Sequence, residues 1–525
     1  MKRRTAVLFL SFLLVISLLP CNATAEKQRN DETTRDAEYA RSFEHALIPQ
    51  QYSSYFGGSE ADELTAFVFV EPNIVYLAGM TSSNDFDVVN GYQNIFAGGT
   101  DCFVMKVNIE TDTVIYSTYV GGEGGEVLYG IAVDDDGNLY ATGHTTSPDF
   151  PTVNPFQPEI RGTNAGDAFV FKLNPTGDAL IYSTYFGTWG GVDKGVSIDF
   201  DEAGNSYVLG YIWGGILDCV NPIDDTREGE ECFLLKINST GNGLDYVSYY
   251  GGSEDDLPIT CSVDDEGNVI LIGLTESDDL PGISGYDTSH NGAWDCFVAK
   301  LNSTLTGIEY STYIGGSGLD EAGYAVVDSS GSVYVTGHTS SSNFPTVDAY
   351  DDEIGGVFDC FVFSLNPDGS SLSYSTYLGG SSSDYGLGLA VDSNEAILVT
   401  GYTDSDDFPT TSGADSSLSG ETDCFVSKLN LSTDILDYST YLGGSVDDTG
   451  KGVAFGADET IIVAGYTESE DFPTDSSHMG SRDWFLHEIL KSEPGGFELP
   501  PWILYVGVGV GAVVVIAAVV CLRRR

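Results

Sequence analysis

One motif recurs along most of this 525-residue chain at an almost constant spacing. It reads YSTYLGG in its clearest copies, and its leading tyrosines follow one another at intervals of 64, 66, 64, 64, 64 and 64 residues. These tyrosines are Tyr52, Tyr116, Tyr182, Tyr246, Tyr310, Tyr374 and Tyr438. A period of this length indicates one supersecondary unit that stacks against further copies of itself.

Each period contains four segments with the character of β-strands. Residues 130–145 read GIAVDDDGNLYATGHT, which is two short apolar strands around an Asp-Gly turn. About 20 irregular residues follow, often with Phe-Pro-Thr, and then a third strand such as DCFVSKLN at 423–430. The YSTY segment is the fourth strand. We name these strands A, B, C and D, and we find no 3.6-residue helical pattern of useful length between them.

Four strands repeated seven times predict an all-β fold, a seven-bladed β-propeller of four-stranded blades, rather than a β-solenoid, whose coils are shorter and simpler. The segments YSTYLGGS, the AVDxxGNxYVTG-like hairpin, the FPT loop and DCFVxKLN resemble the SBBP repeats of seven-bladed β-propellers. The resemblance covers residues 51–491 and implies a location in the cell envelope, without indicating a ligand.

The first and last repeats are incomplete in complementary ways. Residues 51–59, QYSSYFGGS, have the character of strand D but no strand A, B or C before them. The last repeat has strands A (452–457), B (460–467) and C (483–490) but then continues into SEPGGFELPP without a strand D. We therefore predict that the N-terminal strand pairs with the last strand C and closes the ring, because closure removes an open sheet edge.

The two ends of the chain predict export and membrane anchoring. Residues 1–25 combine a basic start, an apolar run and Ala23-Thr24-Ala25, the pattern of a cleaved secretory signal peptide. A polar linker at 26–50 and a Pro/Gly linker at 492–501 flank the propeller. Residues 502–522 are uncharged and long enough for a transmembrane helix, and the basic tail 523–525 predicts a cytoplasmic C-terminus. We expect a single-pass cell-membrane protein with an extracellular propeller.

The charge of the exported part limits its partners. Without residues 1–25 and 502–525, the chain keeps 15 basic residues against 79 acidic ones. Such a surface repels nucleic acid and anionic membranes. The partners that remain are extracellular or envelope glycans and proteins.

In propellers the B–C and D–A connections share one face, here called the long-loop face, and the A–B and C–D turns share the other, the short-turn face. An acid follows the Gly-Gly pair in each D–A connection, and we expect these seven side chains to ring the mouth of the axial channel. They are Asp62, Glu126, Asp193, Asp256, Asp320, Asp384 and Asp448. Such a ring suits Ca²⁺ or a cationic ligand. The alternative, which we favour, is that each acid caps backbone amides of its own turn.

Other repeated polar residues are interpreted as structural. An Asp or Glu precedes strand C in all seven repeats. A catalytic acid is rarely needed seven times, so we interpret these acids as hydrogen-bond anchors of a buried turn. Three sequons, at Asn238, Asn302 and Asn430, lie in C–D turns and are candidate glycosylation sites on the short-turn face. Five cysteines share one repeat position, too far apart across blades to form disulfides, whereas a bond between Cys219 and Cys232 remains open.

Two classes of function fit these features. A membrane-anchored binding, adhesion or envelope-structural module needs only a rigid ring with long loops. An extracellular hydrolase or lyase needs a cluster that breaks the seven-fold pattern, and residues 211–231 in blade 3, with acids and Arg227, are the best region for one. The sequence shows no nucleophile–base pair, metal signature or cofactor loop, so no catalytic residue is assigned and binding is the favoured hypothesis.

Overall fold

The computed structural model describes residues 53–489 except for 71, 163–164, 412–414, 458–459 and 475–480. These residues form 28 β-strands and no α-helix. The first five strands are β1 (Ser53–Phe56), β2 (Asp62–Val70), β3 (Ile74–Thr81), β4 (Asp101–Asn108) and β5 (Thr113–Val120). Blades 2 to 4 contain β6 (Glu126–Val133), β7 (Leu139–Thr145), β8 (Asp167–Leu173), β9 (Leu180–Phe186), β10 (Val192–Phe200), β11 (Ser206–Trp213), β12 (Glu231–Ile237), β13 (Leu244–Tyr250), β14 (Asp256–Val263), β15 (Val269–Thr275), β16 (Asp295–Leu301) and β17 (Ile308–Ile314). Blades 5 to 7 contain β18 (Asp320–Val327), β19 (Val333–Thr339), β20 (Asp359–Leu365), β21 (Leu372–Leu378), β22 (Asp384–Val391), β23 (Ala396–Thr403), β24 (Asp423–Asn430), β25 (Ile435–Leu442), β26 (Asp448–Phe455), β27 (Ile461–Thr467) and β28 (Asp483–Ile489).

The strands form seven antiparallel sheets of four strands each, in the order A-B-C-D. Each strand A lies against strand A of both neighbouring blades, so the seven strands A form the inner ring of a propeller. The prediction of an all-β, seven-bladed propeller is confirmed. A β-bulge interrupts each described A–B pairing at the same place, as between Leu64 and Ala66. Bulges increase the local twist, which helps the inner strands to curve around the axis.

The ring closes as predicted, through β1. This strand pairs with β28 in antiparallel register, from Ser53 opposite His487 to Phe56 opposite Trp484. Tyr55 is buried, and its hydroxyl donates to the carbonyl oxygen of Ser469 at 3.1 Å. Blade 7 is therefore built from both ends of the described chain, and its outer edge is covered.

Apolar side chains pack mainly between blades. One core cluster joins Tyr76 and Ala78 of blade 1 to Phe169 and Phe171 of blade 2, and each neighbouring pair of blades repeats this arrangement. The third residue of every strand C is a fully buried phenylalanine. Stacked sheets of this kind expose little apolar surface between them, because both faces of each blade are covered by neighbours.

The YSTY motif is explained by hydrogen bonds to the B–C loop. In blade 1, Ser117 Oγ donates to the carbonyl of Asp87 at 2.6 Å, and Thr118 Oγ1 accepts from the Gln93 amide at 2.9 Å. The Tyr119 hydroxyl donates to the Ser83 carbonyl at 2.9 Å and accepts from the Phe86 amide at 3.1 Å. Strand D thus fastens the long loop of its own blade to the sheet.

In blades 2, 3 and 4, a lysine of strand C forms an ion pair with an aspartate of the A–B turn. Asp134 accepts hydrogen bonds from the backbone and side chain of Asn138, and Lys172 Nζ lies 3.1 Å from its carboxylate. The turn residue Gly137 has a φ of 81°, a conformation that favours glycine. The turn is the ordinary hairpin that the AVDDDGN sequence predicts.

Some predictions concern residues beyond those described. The signal peptide, both linkers, the transmembrane segment 502–522 and the tail 523–525 all lie there. Within the part of the chain that is described, no helix is long and apolar enough to cross a membrane.

Candidate functional site

The seven acids predicted to ring the channel lie at the start of the strands A. Each is the first residue of its strand, or the second in blade 3, and each is completely buried. They are Asp62, Glu126, Asp193, Asp256, Asp320, Asp384 and Asp448. Their side chains therefore do not face open solvent.

Local donors surround each of these carboxylates. In blade 1, Asp62 accepts hydrogen bonds from the Gly58 amide at 2.7 Å, from Ser83 Oγ at 3.1 Å and from the Thr81 hydroxyl. Asp320 repeats the set with equivalent residues of blade 5. This is the geometry of a cap that ties the D–A turn to the end of strand B.

In blade 3, different residues supply the hydrogen-bond donors around the buried carboxylate. Ile212 and Gly214 stand where blade 1 has Thr81 and Ser83, so the two hydroxyl donors are absent. Thr188 replaces the second glycine of the turn, and its amide and hydroxyl both donate to Asp193, at 2.7 and 3.1 Å. The polar network is kept while the loop sequence changes around it.

The acids that the sequence places before strand C are the first residues of the strands C, and they lie beside the acids that begin the next strand A. A Cβ added to Gly57 would collide with the carboxylates of both Asp483 and Asp62, and one added to Gly379 would meet Asp359 and Asp384. The first glycine of the D–A turn is thus needed because two buried carboxyl groups flank it.

Burial shifts the ionisation of these groups. It raises the pKa of Asp62, Asp256, Asp384 and Asp448 to about 6. Burial, with the nearby Asp167 carboxylate, raises the pKa of Asp193 to about 7. Among the described residues, no group of three or more His, Cys, Asp or Glu side chains is placed to hold a metal ion. Binding of Ca²⁺ or a cationic ligand by the ring stays a prediction.

The other predicted residues lie away from the long-loop face or are internal. Asn238, Asn302 and Asn430 are partly exposed in C–D turns, at the end or just beyond the end of strand C. The seven cysteines between 53 and 489 are free, so Cys219 and Cys232 form no disulfide. Whether the sequons carry glycans stays a prediction.

Blade 3 displays an unusual group of exposed apolar side chains on the long-loop face. Trp189 is 75%, Trp213 60% and Ile216 79% exposed. Trp189 lies in the D–A turn before β10, whereas Trp213 and Ile216 lie at the end of β11 and just beyond it. We call these three residues the blade-3 patch.

The two loops that carry the patch are packed against each other. Val192 pairs with Trp213 in the β10–β11 register, and a Cβ on Gly214 would come within 3.4 Å of Gly191 Cα. Gly215 packs so closely on the Thr188 hydroxyl that no side chain fits there. The patch is therefore displayed on a fixed support.

Charged groups border the patch. Arg227 donates from Nη1 to the Gly215 carbonyl at 3.2 Å, and Arg161 lies 4.0 Å from the highly exposed Asp218. Burial raises the pKa of Glu231 to about 7, and the Arg227 guanidinium opposes this shift. The Nε atom of Arg227 and Oε2 of Glu231 are both buried with no hydrogen-bond partner in the part of the chain described.

Basic residues are scarce, and their positions distinguish the two faces. Ten lie between residues 53 and 489. Five are the sixth residue of a strand C, near the short-turn end: Lys106, Lys172, Lys236, Lys300 and Lys428. Three of these, Lys172, Lys236 and Lys300, form ion pairs with aspartates of the A–B turns. The other five lie in B–C loops or in strands A: Arg161, Lys194, Arg227, Lys451 and Arg482. The positive charges that the repeat does not require are thus concentrated towards the long-loop face.

Near the axis, one layer of side chains differs from blade to blade. It consists of the cross-strand pairs that follow the buried acids on strand A. They are Glu63–Met80, Val127–His144, Lys194–Tyr211, Leu257–Leu274, Glu321–His338, Tyr385–Tyr402 and Thr449–Tyr466. The rings of Tyr385 and Tyr402 stack at 4.6 Å, and Lys194 Nζ lies 5.4 Å from the ring of Tyr211. This layer is mixed in charge and is not a uniform ring.

Sequence reasoning identified blade 3 as asymmetric but missed Trp189, Trp213 and Ile216. A signal was present. The position of Trp189 carries Ser or Glu in the other six D–A turns, and that of Trp213 carries Ser, Thr, Asp or Glu after the other six strands B. Comparing repeats position by position would have found both tryptophans.

Comparison with known proteins agrees with the repeat. Four segments match the family model described as "SBBP: Beta-propeller repeat", at residues 115–151, 181–218, 309–345 and 373–409. Each match runs from a strand D into the B–C loop of the next blade. No curated protein matches the sequence.

Solved structures with a similar arrangement are distant in sequence. Raptor from Chaetomium thermophilum has 10% identity and a TM-score of 0.42 over 88% of this chain, which spans only 31% of Raptor. The quinohemoprotein alcohol dehydrogenase from Comamonas testosteroni has 9% identity and a TM-score of 0.42 over 87% of this chain and 80% of its own. Sqt1 from Chaetomium thermophilum has 10% identity and a TM-score of 0.37 over 78% of this chain and 81% of its own.

Proposed function

Because this chain is a seven-bladed β-propeller that carries SBBP repeats, we propose that it is a binding module held on the outer surface of a cell, with its long-loop face towards the ligand. A propeller of this kind suits protein interaction or a structural role. The observation that carries the binding proposal is the blade-3 patch, because exposed tryptophans on fixed loops serve no purpose in the repeat.

Ligands of the cell envelope fit this proposal. The sequence signals for export and anchoring give the propeller an extracellular position, tethered close to the membrane. Rigid scaffolds commonly bind through the loops they display. The sequons on the short-turn face leave the long-loop face clear, whether or not they carry glycans.

A loop exchange tests the proposal. Residues 213–230 are replaced by the corresponding loop of blade 5, residues 340–358, in the full-length protein. We expect labelled wild-type protein to bind cell envelopes of the source organism, and the exchange to weaken binding at least tenfold. As a matched control, the blade 6 loop 404–422 receives the same blade 5 sequence and binding is retained. Absence of binding by the wild type would refute the proposal.

The proposed location has its own test. Proteinase K added to intact cells is expected to degrade the propeller. An antibody against residues 53–489 would follow the loss of the intact protein. Protection of the propeller in intact cells, with digestion only after lysis, would contradict an extracellular position.

A hydrolase or lyase site in the blade 3 loops is the second candidate. The observation in its favour is that burial raises the pKa of Glu231 and of Asp193 to about 7, near the value that suits a general acid or base at neutral pH. The variant Glu231→Gln separates the two functions. Loss of turnover of an envelope polymer with binding retained would support catalysis, whereas binding without turnover in the wild type would exclude it.

A further inference from the structure

We propose that the blade-3 patch binds an uncharged oligosaccharide, whose pyranose rings stack on the indoles of Trp189 and Trp213. This inference rests on the proposed function and specifies its ligand. The C–H bonds on one side of a pyranose ring form a flat apolar surface. The face of an indole is electron-rich, attracts such C–H groups and is large enough to cover one ring.

The repeat itself gives no reason for the two tryptophans. The six other blades place small or acidic residues at both positions and fold in the same way. Trp189 and Trp213 come from different loops but meet on neighbouring backbone segments, because Val192 and Trp213 are strand partners. Two indoles on touching loops form a surface that neither loop offers alone.

The size of the patch favours an oligosaccharide over a folded protein. Two tryptophans bury about 300–500 Å² when fully covered. A stable protein–protein interface buries about 800 Å² on each partner. The neighbouring loops are rich in acids and cannot extend the apolar surface, since residues 218–231 alone contain six Asp and Glu residues.

Charge favours a neutral ligand. The exported chain has 79 acidic residues, so an acidic polysaccharide meets repulsion as it approaches. Sugar hydroxyls meet none, and they donate hydrogen bonds to carboxylates and accept them from guanidinium groups. Asp218 and Arg161 supply both kinds of partner at the edge of the patch, with 97% and 35% of their side chains exposed.

The support of the patch is arranged before a ligand arrives. Buried hydrogen bonds from Thr188 to Asp193 hold one loop, and the bond from Arg227 to Gly215 holds the other. Gly190, Gly214 and Gly215 adopt φ angles between 63° and 82°, which suit glycine. A preformed site loses little conformational entropy on binding, and this compensates for the modest energy of each stacking contact.

Titration with defined oligosaccharides tests the inference. The full-length protein is titrated with cellohexaose, mannohexaose, maltohexaose and hexa-N-acetylchitohexaose, and with hexagalacturonate as the acidic comparison. Binding is followed by tryptophan fluorescence and calorimetry. We expect at least one neutral hexaose to bind and to change the fluorescence, and hexagalacturonate to bind at least tenfold more weakly.

The decisive variant is Trp189→Ser with Trp213→Ser, since serine occupies both positions in other blades and the fold is expected to persist. We expect at least a tenfold loss of affinity. Ile95→Ala is the matched control, because Ile95 is 77% exposed in the blade 1 loop, and it is expected to bind as the wild type does. Failure of all four neutral sugars to bind, or equal binding by the double variant, would overturn the inference.

Treatment of the envelopes separates this inference from the proposed function. Periodate cleaves vicinal diols of sugars, and protease removes proteins. Blade-3-dependent binding that survives protease but not periodate supports the oligosaccharide. Binding that survives periodate but not protease refutes it and leaves the binding module in place with a protein partner, whereas no envelope binding refutes the proposed function itself.

Discussion

The two tyrosines of a single YSTY motif have different roles although both are buried. The Tyr119 hydroxyl bridges the Ser83 carbonyl and the Phe86 amide, whereas the Tyr116 hydroxyl has no hydrogen-bond partner among the described residues. The motif suggests equal importance for both. The structure distinguishes a tyrosine needed for its hydroxyl from one needed for its ring.

Removing each hydroxyl should therefore give different results. Tyr119→Phe leaves a buried carbonyl and amide without their partner, and we expect a loss of about 1–3 kcal/mol in the free energy of unfolding. Tyr116→Phe removes a hydroxyl that is already unpaired, so its change is expected to be near zero or stabilising. Chemical denaturation measures both, and equal losses would contradict these assignments.

At the scale of elements, the D–A turn combines features that the sequence showed only separately. The Gly-Gly pair, the acid before strand C and the acid that begins the next strand A were each visible as repeats. Their contact across the first glycine was not, because it joins two blades. The turn holds two buried carboxyl groups against one backbone segment.

A side chain at this glycine is expected to be costly. In Gly379→Ala the new methyl group would meet Asp359 and Asp384 at 2.7 Å, and we expect a loss of about 1–3 kcal/mol in the free energy of unfolding. Gly99→Ala is the control, since its Cβ would find its nearest neighbour at 3.4 Å and its φ is not positive. Thermal unfolding compares the two variants. An unchanged unfolding temperature of Gly379→Ala would show that the Asp359 and Asp384 carboxyl groups move aside at little cost in energy.

The raised pKa of the turn acids predicts a pH dependence. An unfolded Asp loses its proton near its ordinary pKa of 3.8, but folded Asp384 keeps it up to about pH 6. Between these values the folded state binds more protons, so the contribution of Asp384 to stability falls as the pH rises. Buried His338 and His487 have the opposite effect, because burial lowers their pKa to about 4. Their contribution to stability rises as the pH rises from about 4 to the ordinary histidine pKa.

A comparison of variants isolates the contribution of Asp384. The free energy of unfolding of Asp384→Asn should fall below that of the wild type by less at pH 8 than at pH 5. In Asp407→Asn the difference from wild type should stay constant, since hydrogen bonds from Ser381 lower the pKa of the exposed Asp407 carboxyl and keep it ionised throughout. Urea denaturation at constant salt measures both differences. A constant difference for Asp384→Asn would refute the shift.

At the scale of the whole molecule, most of the architecture was predictable and most of the candidate site was not. The 64-residue period, the strand alternation and the two complementary half-repeats predict seven blades and the closure through β1. These features repeat, so a single sequence supplies several examples of each. Trp189 and Trp213 occur once each, and only the folded backbone brings them together.

Closure predicts that the N-terminal strand is needed for stability. A chain that begins at Glu60 leaves the edge of β28 unpaired, and we expect a lower unfolding temperature and self-association. A synthetic peptide of residues 51–59, added in trans, should restore the unfolding temperature and suppress the self-association by strand addition. The same peptide with Tyr55 changed to Ala should fail, because Tyr55 packs in the apolar core between blades 6 and 7. An unchanged unfolding temperature of the shortened protein would contradict closure.

The position of β28 also has a mechanical consequence. This last described strand is hydrogen-bonded on both sides, to β27 and to β1. A pull along the strand, applied to the chain beyond residue 489, loads two ladders of hydrogen bonds together in shear. The same pull on a strand at the rim of a sheet would load only one ladder. A propeller tethered at that end would resist drag on its ring.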